Sequence, residues 1–196
     1  EVHLCSKQGT DIIGALFAGS PNVLIGANRN IAWAHTVNQP DKTDVFKLEM
    51  HPKKRRFYRV DNQYLKLKKY KAKVLVKILG IPLKISKKYF ESIYGPTLKN
   101  DSGYYSVRTP SLFEAKALEQ WWRMNKAKSF SEFYGILKMK ALPGYNIGYA
   151  DKNDTLFYIS NGLIPKRVPG YDWANVVPGN TKKTLWTTTY DIEELP

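Results

Sequence analysis

Residues 71–86 alternate between wet and apolar side chains. Lys71, Lys73 and Lys77 are interleaved with Ala72, Val74, Val76 and Ile78; after Gly80, Ile81, Leu83 and Ile85 alternate with Pro82, Lys84 and Ser86. A period of two sends successive side chains to opposite faces of an extended chain, so this stretch is a β-ribbon turning at Gly80 and cannot be an amphipathic helix. Shorter runs carry the same signature at residues 2–6, 31–36, 45–50 and 104–107. Residues 57–60 and 63–67 flank Asp61-Asn62, and residues 146–150 and 155–160 flank a tetrapeptide from Asp151 to Asp154. Both pairs read as hairpins, because Asn and Asp tolerate left-handed backbone. Residues 14–21, rich in Gly, Ala and Ser, read as a loop, and residues 22–26 as a short strand ending in a turn at Gly26-Ala27-Asn28. A strand over 90–94 is expected to break at Gly95-Pro96.

Only two segments carry helix signals. Ser111-x-x-Glu114 is a capping box ahead of residues 112–126, and Ser129-x-x-Glu132 is a second ahead of 133–142. The short gap between them predicts a helical hairpin, with Leu118, Trp121, Trp122 and Met124 in the core. The last 30 or so residues, rich in Gly, Pro and Thr, read as an ordered coil. Strands, then a helix pair, then strands argue for an α+β arrangement over a parallel α/β fold. A chain of 196 residues is long enough to bury its own core as a single domain.

The charge is concentrated. Between Lys53 and Lys88 there are 14 Lys and Arg against Asp61 alone, so almost all of the chain's net +14 sits on one stretch. The alternation favours the solvated face of a ribbon, where Lys also guards a sheet edge against aggregation. The other reading is an electrostatic footprint for a polyanion, with Tyr58, Tyr64 and Tyr70 interleaved among the cations.

Several function classes are excluded by what the sequence lacks. A single Cys5 cannot build a disulfide framework, and with three His it excludes a zinc module of the Cys/His kind. No run of about 18 apolar residues could span a membrane as a helix. There is neither a G-x-S-x-G elbow nor a phosphate-binding G-x-x-x-x-G-K-S/T loop. Two local features could carry chemistry. His35 stands at the end of an apolar strand, either as a hydrogen-bonded strand-end residue or as a group lining a site. Asp41-x-x-Asp44 sets two carboxylates three apart in a loop with a carbonyl between them; this suits a hard cation such as Ca²⁺, although two carboxylates fall short of its six to eight oxygens.

The order of motifs along the whole chain resembles the penicillin amidase family. The resemblance is carried by Gly19-Ser20-Pro21-Asn22-Val23-Leu24-Ile25-Gly26-Ala27-Asn28, by Ile31-Ala32-Trp33-Ala34-His35-Thr36-Val37 and by Asp41-Lys42-Thr43-Asp44. It continues through Tyr58-Arg59-Val60-Asp61, Ser92-Ile93-Tyr94-Gly95-Pro96, Trp121-Trp122, Asn161-Gly162 and Ile164-Pro165-Lys166-Arg167. The Ala-His-Thr-Val string is closer to the cephalosporin, aculeacin and acyl-homoserine-lactone acylases; the Asp-x-x-Asp loop is closer to the penicillin G type. Ala18 departs from the family, which often has Pro there.

The resemblance implies an N-terminal-nucleophile hydrolase of linear amides with a partial αββα sandwich, antiparallel sheets and a helical hairpin. It places the backbone N–H of Val37 in the oxyanion hole, Ile25 in the acyl pocket and His35 at its mouth. It gives a structural Ca²⁺ to Asp41, the carbonyl of Thr43, Asp44 and the carbonyl of Pro165, and it calls for no organic cofactor. The nucleophilic Ser would lie before Glu1 and the oxyanion Asn beyond Pro196. Residues 1–196 are then expected to be an interior piece of the catalytic β-subunit, with the basic ribbon 53–90 inside it, and to be inactive alone. The implied partners are a small acyl-amide substrate and the rest of the precursor, including its α-subunit, in the periplasm or outside a bacterium; neither nucleic acid nor a membrane span is expected. The alternative is a non-catalytic relative or a polyanion-binding module using the 53–88 surface. An unrelated β-rich domain would instead consume the Val37 N–H in a sheet ladder and let Asp41 and Asp44 diverge.

Overall fold

The computed structural model describes residues 1–196. In chain order the strands are β1 (Val2–Cys5), β2 (Asp11–Ala15), β3 (Ile25–Asn28), β4 (Ile31–Val37), β5 (Asp44–Leu48), β6 (Phe57–Val60) and β7 (Gln63–Lys66). They continue with β8 (Lys68–Ile78), β9 (Ile81–Ser92), β10 (Gly95–Asn100) and β11 (Gly103–Arg108). The helices α1 (Ala117–Lys126) and α2 (Phe130–Leu137) follow, then β12 (Gly144–Asp151), β13 (Leu156–Gly162) and the short β14 (Val177–Pro178). The fold is α+β, as the element order predicts, and the chain divides into two compact units.

The first unit comprises Glu1–Lys42, Pro110–Pro165 and Thr188–Pro196. Its antiparallel sheet runs β1-β2-β3-β4-β12-β13. The helix pair covers one face: Ile12, Ile31, Trp33, Ile147, Tyr149 and Ile159 from the strands bury against Trp121, Met124, Phe133 and Leu137 from the helices. Strand β4 shows why: Ile31, Trp33 and His35 point inward while Ala32, Ala34 and Thr36 point out. Strands β2 and β3 approach so closely that only glycine fits at their crossing; a Cβ on Gly14 would lie 2.2 Å from the Ile25 carbonyl oxygen.

Polar side chains clamp the loop before β3 to α1. Asn125 accepts from the Val23 N–H (3.0 Å) and donates to the Val23 carbonyl (2.6 Å), Asn22 donates to the Leu118 carbonyl, and the Trp33 indole donates to the Leu24 carbonyl. Buried Gln120 accepts from both the Ala141 and the Leu142 N–H.

The second unit comprises Thr43–Thr109 and Lys166–Thr187. Its sheet runs β14-β5-β11-β10-β9-β8, with the hairpin β6-β7 as a separate two-stranded sheet. Phe46, Leu48, Tyr58, Val60, Leu67, Tyr94, Val177 and Trp186 form its core, with Phe46 and Tyr94 stacked at 4.7 Å between ring centroids. Asp61, at φ 52°, turns the β6-β7 hairpin as its side chain allows.

Five local expectations are corrected. The strand expected at 22–26 lies at Ile25–Asn28, because Asn22 and Val23 are hydrogen-bonded to α1, and the turn moves to Arg29-Asn30, where Asn28 Oδ1 accepts from the Asn30 and Ile31 N–H groups. The first capping box does not form: Glu114 accepts from the Lys116 N–H, a 3₁₀ turn occupies Pro110–Phe113, and α1 starts only at Ala117. Ser129 does cap α2, accepting from the Glu132 N–H at 3.3 Å, but the helix ends at Leu137 because Lys140 turns left-handed at φ 50°. Gly95-Pro96 opens β10 instead of breaking the sheet, the turn falling on Ile93-Tyr94. Leu118 and Trp122 are exposed while Trp121 and Met124 are buried.

The ribbon is also less buried than its alternation suggests. Strand β9 pairs with β10 only through Phe90, Glu91 and Ser92, so from residue 70 through the tip to residue 89 β8 and β9 run on as two strands with no third neighbour. Val74, Ile78, Ile81, Leu83 and Ile85 are exposed alongside the lysines.

Candidate functional site

The cleft of interest lies within the first unit, at the end of β4. A cavity of about 180 Å³ is lined by Ala15, Leu16, Phe17, Leu24, Ile25, His35, Val37, Trp121 and Tyr145. Its residues come from the end of β2, the loop clamped to α1, the first residue of β3, the last turn of β4, α1 and the start of β12. Trp121 and His35 form a buried floor; Phe17, Ile25 and Val37 are exposed at the rim. The structure thus brings together Ile25, His35 and Val37, three residues singled out in the sequence. The lining is apolar apart from His35 and the Tyr145 hydroxyl, the composition of a pocket for a hydrocarbon group.

His35 is 9% exposed and has one ring partner: the Trp121 indole N–H donates to Nε2 at 3.1 Å. That bond fixes the tautomer with the proton on Nδ1, and Nδ1 has no partner. Burial pushes the ring's pKa down to about 4, so the imidazole is neutral at physiological pH. Trp121 stands edge-on to the ring at 6.2 Å and Tyr145 lies tilted against it at 5.3 Å. The sequence marks Trp121 only as core, and Phe17 and Tyr145 not at all; the one available signal is the apolar pair Leu16-Phe17 inside an otherwise small-residue loop.

The backbone of Val37 follows from register. The Lys152 N–H donates to the Asn30 carbonyl at 3.1 Å, and pairing continues from Asp151↔Ile31 to Tyr145↔Val37. In an antiparallel ladder successive residues bond to alternate sides, so the even-numbered residues of β4 bond toward β12 and the odd-numbered ones toward β3. Strand β3 pairs with β4 only at Gly26↔Trp33 and Ala27↔Ala32. The Val37 N–H therefore points to the edge where β3 has already ended, outside the ladder. Val37 itself is 75% exposed at the rim of the cavity. Beyond it, Asn38 donates to the Asn161 carbonyl at 2.8 Å and Lys42 to the Pro143 carbonyl, fixing the chain as it leaves the strand.

The residues expected to hold Ca²⁺ are divided between the units: Asp41 and Pro165 in the first, Thr43 and Asp44 in the second. Asp44 is fully buried. Its Oδ2 accepts from Arg167 Nε (3.0 Å) and from the Trp186 indole (2.6 Å), while Oδ1 is buried with no donor. A buried carboxylate oxygen with no donor fits one ligand of a hard cation; the guanidinium on its other oxygen already balances part of the charge.

The whole chain, residues 1–196, matches the sequence profile of the penicillin amidase family. It is 29% identical over 175 residues to the acyl-homoserine lactone acylase PvdQ of Pseudomonas fluorescens (strain Pf0-1), covering 84% of this chain and 22% of that protein. Aculeacin-A acylase of Actinoplanes utahensis is 26% identical over 185 residues, covering 90% of this chain and 23% of the relative. Among solved structures, thermostable penicillin G acylase from Alcaligenes faecalis superposes with a TM-score of 0.85 at 23% identity, over 100% of this chain and 35% of that one; it shares the fold. The chain thus spans about a fifth of the length of the curated relatives it matches. With every residue inside the matched profile and the acylase fold running from end to end, this chain belongs to the penicillin amidase family.

Proposed function

We propose that the chain supplies the oxyanion-binding and acyl-binding parts of an enzyme that hydrolyses a linear amide, and that the nucleophile, an N-terminal Ser, comes from another segment of the same precursor. The observation that carries this reading is the Val37 N–H, left outside the ladder at the rim of an apolar cavity. In the proposed reaction the Ser hydroxyl adds to the amide carbonyl carbon while its own α-amine, with a pKa near 7.7–8.0, takes the proton. Negative charge develops on the carbonyl oxygen, and the Val37 N–H donates to it from a fixed strand end. The amine leaves with the proton, and water then hydrolyses the acyl-enzyme. The acyl group lies against Ile25, Leu24 and Trp121, and His35 stays neutral so that no charge opposes its burial. The relatives named as acylases of a homoserine lactone and of aculeacin A support an acyl-transfer reading of the same segment.

The proposal extends to a structural Ca²⁺ at Asp44, within the second unit, where the ion would supply charge to the unpartnered Asp44 oxygen. A bacterial periplasmic or secreted setting accompanies it. No helix of the chain is long and apolar enough to cross a membrane.

The test is hydrolysis of a chromogenic fatty-acyl or phenylacetyl amide by the full-length precursor carrying Val37→Pro or Val37→Ala. Proline removes the N–H and is expected to lower kcat about 10²–10³-fold, the usual effect of losing one oxyanion donor, while alanine keeps the N–H and kcat. Equal activity in the two variants would refute the proposed role of Val37.

A further inference from the structure

At the β1 edge of the first unit's sheet lies a cluster that the acylase reading leaves unused. Strands β1 and β2 pair with Cys5 opposite Asp11 and His3 opposite Ile13. His3 and Cys5 are two residues apart and share a face of β1, and Asp11 stands across from Cys5 on that face. The donor atoms converge: His3 Nε2 to Asp11 Oδ1 is 2.8 Å, Cys5 Sγ to His3 Nε2 is 3.2 Å, and Cys5 Sγ to Asp11 Oδ1 is 3.6 Å.

The arrangement is wrong for a catalytic triad, which needs one imidazole nitrogen facing the nucleophile and the other facing the carboxylate. Here a single nitrogen, Nε2, faces both Cys5 and Asp11, and one proton cannot satisfy both contacts. Three ligand atoms crowding one point instead make the face of a coordination polyhedron. Zinc–ligand distances of about 2.3 Å to S and 2.0–2.1 Å to N or O set tetrahedral edges of about 3.5 Å from S and about 3.3 Å between N and O, so the S–O edge (3.6 Å) already fits and the other two need to open by about 0.3–0.5 Å.

We propose that His3 Nε2, Cys5 Sγ and Asp11 Oδ1 form a three-ligand site for Zn²⁺, its fourth position open to solvent. Thiolate and imidazole select a borderline cation over Ca²⁺ or Mg²⁺, which prefer all-oxygen shells. The ion takes Cys5 as thiolate, the thiol proton passing to solvent, and His3 as the neutral ring. Arg29 Nε lies 2.5 Å from the other carboxylate oxygen, Oδ2, and orients Asp11 without occupying Oδ1. Cys5 and Asp11 also line a cleft of about 880 Å³, which leaves room at the open position. Counting only Cys and His hides such a site; the carboxylate across the hairpin completes it.

The probe is Co²⁺, titrated into the reduced, metal-free protein and then displaced by Zn²⁺. The site predicts one Co²⁺ per chain with a thiolate-to-cobalt charge-transfer band, lost on adding Zn²⁺. Cys5→Ser should abolish the band, and Cys5→Ser, His3→Gln and Asp11→Asn should each weaken Zn²⁺ binding by about tenfold or more, with unchanged circular dichroism because all three side chains sit on an outer hairpin. Absence of the charge-transfer band in the wild type, or Zn²⁺ affinity unchanged in Cys5→Ser, would overturn the assignment.

Discussion

Strand β4 and the β8–β9 ribbon carry the same alternating pattern and meet opposite fates. In β4, Ile31, Trp33 and His35 are buried because strands flank it on both sides and the helix pair covers its inner face. In the ribbon, Val74 is 49% exposed and Leu79 98% exposed, because beyond Phe90 there is neither a third strand nor a covering layer. Alternation records which side chains share a face; it does not record whether anything packs on that face. The closed sheet end can therefore hold a cavity and a neutral imidazole, whereas the ribbon offers only solvated charge and uncovered apolar side chains.

Truncations should separate the two regions most sharply. Trp33→Ala, which empties the centre of the first core, is expected to cost about 3–5 kcal/mol in urea unfolding, whereas Val74→Ala or Ile85→Ala in the ribbon should stay within about 0.5 kcal/mol. Equal costs would mean that the ribbon is buried in solution. The root of the ribbon's own sheet should behave like a core: Asp44→Ala removes the buried carboxylate that accepts from both Arg167 and the Trp186 indole, and should cost about 3–5 kcal/mol. If Ca²⁺ binds there, saturating calcium should raise the wild-type Tm and leave that of Asp44→Ala unchanged.

A smaller effect is expected from pH. His35 is neutral when folded, with a pKa near 4, and titrates near 6.5 when unfolded. Between those values the unfolded chain binds the extra proton, so stability is whole above pH 6.5 and falls as the pH drops toward 4, by up to about 3 kcal/mol. His35→Gln should flatten the curve in that window relative to the wild type, and an NMR titration of the ring should show no inflection near 6.5. The smallest effect belongs to the ribbon tip, where Leu79 (φ 50°) and Gly80 (φ 83°) form a two-residue turn that suits Asn-Gly. Leu79→Asn should stabilise the turn by a few tenths of a kcal/mol, up to about 0.5, read as slower amide exchange confined to residues 69–89.

The sequence made much of this legible through local chemistry. The two-residue turn at Asp61-Asn62, the cap at Ser129 and the strand ending at His35-Thr36-Val37 are each dictated by residues within a few positions of one another. The motif order further placed Ile25, His35 and Val37 together. Most of what stayed hidden depends on contacts about a hundred residues apart. Asn125 pulls Val23 out of the expected strand, and Trp121 reaches His35 across 86 positions. The Arg167 partner of Asp44 lies 123 residues away, and nothing in Asp41-x-x-Asp44 announces it. The His3–Cys5–Asp11 convergence needs the β1-β2 register, which spacing alone does not give.

The most direct measurement is a crystal structure of the full-length protein with a boronate or phosphonate acyl-transfer inhibitor bound to its nucleophile. The account predicts the inhibitor's anionic oxygen about 2.7–3.1 Å from the Val37 nitrogen, with the acyl group between Ile25 and Trp121. An anionic oxygen held elsewhere, with the Val37 N–H bonded to another acceptor, would contradict it.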